Sequence, residues 1–439
     1  MSVLHAYHSR IPLSNVRGKP FVTVSAKGIS NGLSDIYNDG ADFGPDTMLG
    51  ATAPDQYGPP YTQTTGIQEA LNYAANIGAP VELGPGTFYV SETILLPNLL
   101  GLYLRGAGTH LTTIAQASGF SGTIMQWADP SAVNKWYYLG HFRLYGTAGS
   151  GYLLDLEQNE TVAQGLLEHI RIVHANISGL RLDGNEDTVT MHLDIDNTDH
   201  STPGVHWFIP AGAAVDIDSD FISGGFWQAQ VFTFIGSVFG ADQALNLYPT
   251  TSPSVYNFYG AYWNNSWWKP QIYIYPEDSN VMYLNFVGCF INSSSSPSLG
   301  NPFFYNPTTT TVTVYAKFIN SMIQSSSGVN LFGSYITGYA EFDDLTQPLT
   351  NVNVNNAAVS TPAVPSSGTA QQNTNPFPVL VFLSGGSATE VQVTKYGTTY
   401  TIWSSSSATA IPFMSVRLNP GDSITITYST APSWTWTPA

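Results

Sequence analysis

His141-Phe-Arg-Leu-Tyr145, His169-Ile-Arg-Ile-Val173, His192-Leu-Asp-Ile-Asp196 and Asp216-Ile-Asp-Ser-Asp220 follow one alternating pattern. In a strand, successive side chains point to opposite faces. Phe142 and Leu144, Ile170 and Ile172, Leu193 and Ile195, and Val215 with Ile217 therefore read as inward pairs. The steps from Phe142 to Ile170, Ile170 to Leu193 and Leu193 to Ile217 are 28, 23 and 24 residues. A period in that range, made of strands without helices, is the signature of a parallel solenoid. A single coil cannot bury its apolar face alone; stacking neighbours at about 4.8 Å does so. Phe232–Phe234, Tyr256–Phe258, Ile272–Ile274, Leu284–Phe286, Val312–Val314 and Tyr339–Glu341 are further candidate rungs, less evenly spaced.

Stacking those coils also aligns their outward residues. One column holds His141, His169, His192 and Asp216; the next holds Arg143, Arg171, Asp194 and Asp218; a third holds Tyr145, Val173, Asp196 and Asp220. The register thus predicts a carboxylate square of Asp194, Asp196, Asp218 and Asp220, bordered by His192 and Arg171. Neighbours in it would lie about 5–7 Å apart, within the separations used by glycosidases. Crowded carboxylates raise one another's pKa and so supply an acid beside a base. The same oxygen-rich set can instead hold Ca²⁺, or be a solvated polar ladder with no chemistry. The segment Asn197–Ala214 interrupts the spacing, and a one-residue slip would turn every one of these side chains over.

Upstream, Thr65-Gly-Ile-Gln68 reads as a capping box opening a helix whose Ile67, Ala70, Leu71 and Ala74 share a face, with Gly78 and Pro80 as its stop. Asp39-Gly-Ala-Asp-Phe-Gly-Pro-Asp-Thr47, that helix, Val81-Glu-Leu-Gly-Pro-Gly-Thr-Phe-Tyr-Val90 and Leu102-Tyr-Leu-Arg-Gly-Ala-Gly108 follow in order. This arrangement resembles the entry to the pectate-lyase-like right-handed parallel β-helix superfamily, which includes polysaccharide lyases, glycosidases and virus tailspikes. The resemblance implies an N-terminal helix plugging the solenoid end, where open strand edges would otherwise be exposed.

The expected organisation is an N-terminal extension at 1–35, a β-helix at 36–350, a linker at 351–375 and a small C-terminal antiparallel β-sandwich at 376–439. The linker is read from an aperiodic run of Asn, Ala, Val, Ser, Pro and Gln. The sandwich is read from short strands at Val379–Leu383, Glu390–Thr394, Thr399–Trp403, Ser415–Leu418 and Ser423–Tyr428, separated by turn residues.

Aromatics form a second constellation. Tyr262-Trp-Asn-Asn-Ser-Trp-Trp-Lys269 concentrates Trp263, Trp267 and Trp268 among amides, and Trp227 belongs to an adjacent coil. Indole faces stack on sugar C–H surfaces while Asn and Ser bond hydroxyls, so these four read as glycan-binding. The alternative for Trp263 and Trp267 is a coil-corner core or a subunit interface.

Composition bounds the rest. The 439 residues carry 13 Lys and Arg against 30 Asp and Glu, a net charge of -17, which argues against a basic footprint for nucleic acid. Charged residues are only 10% and hydrophobic residues 43%, so the surface is built largely from Ser, Thr, Asn, Gly and Tyr and suits contact with sugars or packing in an assembly. Cys289 is the single cysteine, which excludes an intramolecular disulfide and any cysteine-based metal cluster. No stretch is long and apolar enough for membrane insertion, the N-terminus lacks a signal-peptide pattern, and no cofactor is required.

These readings lead to an expected virion spike or fibre-like protein recognising host-surface glycans, with or without depolymerase activity, at the virion surface or outside cells. The resemblance further implies a homotrimer in contact with other virion proteins. A secreted polysaccharide lyase or glycoside hydrolase, and a purely structural coat component, are the alternatives.

Overall fold

A computed structural model describes residues 21–27, 41–129, 135–147, 152–157, 163–174, 179–182, 185–196, 213–218, 230–240, 243–248, 254–265, 272–276, 281–293, 302–343, 346, 349–354, 359–375 and 377–438. Among them the only α-helix is Ile67–Ile77; the rest of the regular structure is strand. The chain divides into two compact units, the second comprising Thr337–Glu341 and Asn355–Ala439.

The first unit is a parallel β-helix. Its strands pair in parallel register, with Ile172 beside both Leu144 and Ile195, as the alternation predicts. Two of its faces run on from one another through a bend, as in the continuous strands Lys135–Tyr145 and Ala163–Val173. The third face is an eight-stranded sheet of short strands running from Ile94–Leu96 to Phe304–Tyr305. Identical inward positions stack into columns, and the largest is built of phenylalanine. Phe234, Phe258, Phe286, Phe318 and Phe342 lie with ring centroids 5.2, 5.0, 4.7 and 5.1 Å apart along the column and planes near parallel. A single glycine serves the same end by subtraction in the neighbouring column. A Cβ on Gly165 would collide with the ring of Tyr137 from the preceding rung, so its absence lets that tyrosine lie inside.

The helix packs against Val22–Val24, Val81–Leu83 and Ile94–Leu96, the first rungs of the solenoid, as a cap on its open end. Its own N-terminus is closed differently from the expected box. Thr64 Oγ1 accepts the Gln68 N–H at 3.1 Å, whereas Thr65 donates its hydroxyl to Tyr89 O at 2.6 Å. Gln68 turns away to exchange two hydrogen bonds with the backbone of Leu95. The expected box gave Thr65 the cap; the cap position is Gly66, at φ 83° and without a side-chain cap, because Thr65 ties the chain to the first coil and Thr64 reaches the Gln68 N–H from outside the helix. Buried Glu69 accepts from Thr62 at 2.7 Å and from the Gly50 N–H at 3.3 Å, which fastens the preceding loop to the cap.

The boundaries also shift. Val22–Val24 pairs with Val81–Leu83, so the solenoid begins inside the stretch expected as an extension. The expected linker contains Ala370–Gln372, a strand paired antiparallel with the strand Ser423–Thr430. Pro362 and Pro365 just before it receive the Trp434 indole N–H and the Tyr428 hydroxyl at 2.7 and 2.6 Å. In the second unit the short strands expected at the C-terminus are merged into two long ones, Val379–Lys395 and Thr398–Leu418. The segments read as turns at Ser384-Gly-Gly and Ser404–Ala408 are register shifts within them, with Gly385 and Gly386 at φ 72° and 70°. The result is one antiparallel sheet of five strands.

The phenylalanine column yields the first prediction. Phe258→Ala should cost about 3–5 kcal/mol through lost burial and a residual cavity. Urea unfolding followed by tryptophan fluorescence measures it; a loss below about 1 kcal/mol would show that the column relaxes to close the gap.

Candidate functional site

The bend between the first two faces is made by a single residue per coil in the left-handed conformation. His141, His169 and His192 have φ of 61°, 50° and 54°; the positions stacked above them are Gly236, Gly260, Gly288 and Asn320, at 57°, 60°, 63° and 47°. Side chains other than glycine resist this region, and His and Asn are among those that tolerate it. Glycine is the free choice at such a corner, so three histidines there put imidazoles on the outer edge at a conformational cost. Their rings form a ladder, with centroids 5.0 Å apart from His141 to His169 and 4.7 Å from His169 to His192. The ladder ends at Gly236, whose missing Cβ would fall 2.9 Å from His192 Nδ1.

On one side of the ladder stands Glu168. Its Oε2 accepts the Tyr138 hydroxyl at 2.6 Å and lies 3.5 Å from His141 Nε2. Gly140 makes this possible: it sits beside Glu168 in register, and a Cβ there would lie 3.0 Å from the Tyr138 hydroxyl. Tyr138 is stacked on Tyr103 of the preceding coil at 4.5 Å and 10°. Burial raises the Glu168 carboxyl, but the Tyr138 hydrogen bond and the imidazoles of His141 and His169 outweigh it and leave the group below its ordinary range. His141 is pushed down, first by burial and then by Arg105 and His169, against the pull of Glu168. Tyr138 is pushed up by burial and by the carboxylate it bonds. At neutral pH the corner therefore pairs an ionised Glu168 with a neutral His141.

On the other side of the ladder lie guanidiniums. Arg171 Nε is 3.2 Å from Asp194 Oδ2, and Arg143 Nη2 is 3.2 Å from His110 Nδ1. Arg105, in the same strand as Tyr103, also lines a groove of about 420 Å³ with Thr23, Glu82, Leu83 and Ala107. The first coils thus carry Arg105 on the Glu168 side of the ladder and Arg143 and Arg171 on the other, together with His110, His141, His169 and His192 and, interleaved with them, Glu82, Glu168 and Asp194.

The structure brings together part of the expected set. His192, Arg171 and Asp194 are neighbours in the columns read from the sequence, and Asp196 is in register with Val173. The carboxylate square does not form. The rung after Asp194 and Asp196 is Val238 and Gly240, while Asp216 and Asp218 belong to the third face, beside Arg181 and Tyr248. The physical reason is that the strand Ala213–Asp218 has the same alternation but turns the chain onto another sheet before the second-face strand returns. Asp220 lies outside the described residues. The calcium reading relied on the same four carboxylates, and among the described residues no three His, Cys, Asp or Glu side chains converge as a metal set.

Trp263 is likewise corrected. It is 0% exposed, packed edge-on against Phe258 and Phe286 with centroids at 5.1 and 5.6 Å, and so belongs to the core. Trp227, Trp267 and Trp268 lie outside the described residues. Glu168, Tyr138, Tyr103 and Arg105 were not singled out by the sequence. Extending the same coil alignment a few residues upstream of the histidines would have found them, since Tyr138 and Glu168 lie in the strands that carry His141 and His169.

No protein-family model and no curated protein matches the chain. Solved structures similar to it include the enzymatically active domain of bacteriophage CBA120 tailspike protein 4, at 9% identity and TM-score 0.37 over 87% of this chain and 67% of that one. Another is tailspike protein gp49 from Acinetobacter baumannii bacteriophage Fri1, a capsular polysaccharide depolymerase, at 11% identity and TM-score 0.37 over 95% of this chain and 85% of that one. A third is Pantoea stewartii WceF, a glycan biofilm modifying enzyme, at 10% identity and TM-score 0.33 over 85% of this chain and 58% of that one.

The two depressed groups fix a pH dependence. His141 resists protonation when folded, so stability falls as pH drops below the ordinary histidine value of about 6.5. Glu168 is stabilised as the carboxylate, so a second loss follows below about 4.3. Unfolding midpoints should therefore decline in two steps between pH 7.5 and 3.5. His141→Gln should remove the upper step, and Tyr138→Phe, by taking away a hydrogen bond that favours the carboxylate, should shrink the lower one; an unchanged profile in both variants would reject the assignment.

Proposed function

We propose that the chain is a glycan-recognising β-helix protein whose outer corner at Tyr103, Tyr138, Glu168 and the histidine ladder engages a polysaccharide carrying acidic groups. The observation that carries this reading is the concentration of three arginines and four histidines on one region of a chain with a net charge of -17. In a strongly acidic protein, three guanidiniums gathered on one region, even with Glu82, Glu168 and Asp194 beside them, give an anionic ligand a place of lower repulsion. Guanidiniums bind carboxylate and sulfate groups through paired N–H donors, and Tyr103, backed by the buried Tyr138 stacked on it, offers aromatic surface to a sugar ring. The solenoid repeat supports an extended ligand, since equivalent positions recur at about 4.8 Å along the axis.

The finer reading is a spike or fibre-like component of a virion surface that contacts host glycan as a homotrimer. It is supported by the likeness of residues 39–108 to the superfamily that includes tailspikes. Depolymerase activity is a second reading, favoured by the neutral His141 beside an ionised Glu168. The imidazole can take a proton from a sugar carbon or hydroxyl, and the carboxylate 3.5 Å away stabilises the imidazolium that results.

Calorimetry with uronate-rich and neutral polysaccharides of matched length tests the binding. Uronate chains should bind, with affinity falling as salt rises, and the double variant Arg143→Gln, Arg171→Gln should weaken them about tenfold or more. Equal affinity for neutral chains, or an unaltered double variant, would overturn the acidic-glycan reading. Release of unsaturated or reducing ends that persists in His141→Ala would overturn the catalytic one.

A further inference from the structure

The second unit has a core that stops before its sheet does. Val391, Val393, Ile424 and Ile426 are buried on one face of the strands Val379–Lys395 and Ser423–Thr430. The next strand outward, Thr398–Leu418, continues that face: Tyr400 is in register with Val393 and Trp403 with Val391. Yet Tyr400 is 54% exposed, and Ile402, at the register shift between Thr401 and Trp403, is 41% exposed. The strand pairs with Val379–Lys395 on one side and, among the described residues, is the last in the sheet on the other.

Its chemistry is unusual for such a position. Sheet edges are ordinarily protected by charge, above all lysine. From Tyr396 to Val416 not one residue is charged, in a sequence rich in Thr, Tyr, Ile, Trp and Ser that favours strand pairing. Bulges bend the strand beyond Ser404, but the segment 398–401 keeps a one-to-one register with its neighbour apart from the shift at Ile402.

We propose that this open edge, centred on Thr398–Trp403, is an interface covered by a second copy of the same chain. Three features favour a copy over another occupant. Two identical edges related by a two-fold axis run antiparallel and so satisfy one another's backbone groups without any further design. A copy also brings its own Tyr400 to complete the apolar face left open here. Finally, chains of net charge -17 repel one another except where an uncharged surface lets them approach. The inference is independent of the glycan reading, because it concerns the other unit.

Light scattering over a range of protein concentrations is the test. The wild type should show twice the mass of the double variant Tyr400→Lys with Ile402→Lys, in units of 47.4 kDa, and the variant should keep the far-ultraviolet spectrum. A wild type that is monomeric throughout, or a double variant that keeps the assembled mass, overturns the proposal. Should the lysine variant fold poorly, Ile402→Cys with a short bismaleimide provides an independent readout. The native Cys289 is buried and its thiol is pushed up to about 11, so it should stay unlabelled. A covalent pair on a denaturing gel is expected; its absence at concentrations where light scattering reports assembly places the interface elsewhere and overturns the proposal.

Discussion

One backbone constraint organises the first unit: at a fixed point in successive coils the chain must bend by entering the left-handed region. Phe142, Ile170, Leu193, Ser237, Ala261, Cys289 and Ser321 follow those bends and face inward at equivalent places. The bend keeps two strands of each coil in register with the coils above and below, so the phenylalanine column and the Tyr137–Gly165 fit both depend on it. It also decides what stands on the outside. A glycine at the bend gives only backbone, whereas a histidine projects a titratable ring. The histidine coils and the glycine coils are therefore chemically distinct stretches of one continuous scaffold.

Electrostatics then separates the face further. Glu168 stands among Arg105, His141 and His169, with Glu82 and Asp194 on neighbouring rungs, and its hydrogen bond from Tyr138 lies close over Gly140, where a Cβ would fall 3.0 Å from that hydroxyl. Removing that space would leave the charge of Glu168 to be balanced by the imidazoles alone. Burial works against both ionised states here: it raises the carboxyl, which Tyr138 and the imidazoles overcome, and it lowers His141, which Glu168 does not offset. Such a corner suits recognition of a charged, partly apolar ligand better than the four-carboxylate arrangement the sequence suggested.

The legible part of the chain was the part with strict local periodicity. Phe142, Ile170 and Leu193 align in the sequence as they do in space, because each step follows one complete coil. Val215 and Ile217 have the same alternation and nearly the same step but occupy another sheet, since a strand's pattern records which side is buried and not which face of the solenoid it joins. Trp263 failed for a related reason: an indole two residues from a polar run can turn inward, and composition does not reveal parity without register. The helix was located correctly while its cap was misassigned by one residue, a matter of tertiary hydrogen bonding from Thr65 to Tyr89. In the second unit the glycines at 385 and 386 looked like turns, because left-handed glycine serves a bulge as readily as a reversal.

The return of the chain from Asp196 to Val238 has a consequence for how such a molecule can change over time. More residues separate these two rungs than separate their neighbours, yet the coil keeps its ordinary third-face strand Ala213–Asp218, and the register resumes at Val238. Lengthening a surface excursion costs little once its ends are held. The rungs on either side act like fixed sockets, so new segments can be gained, lost or exchanged at that point while the stacked interior is inherited unchanged.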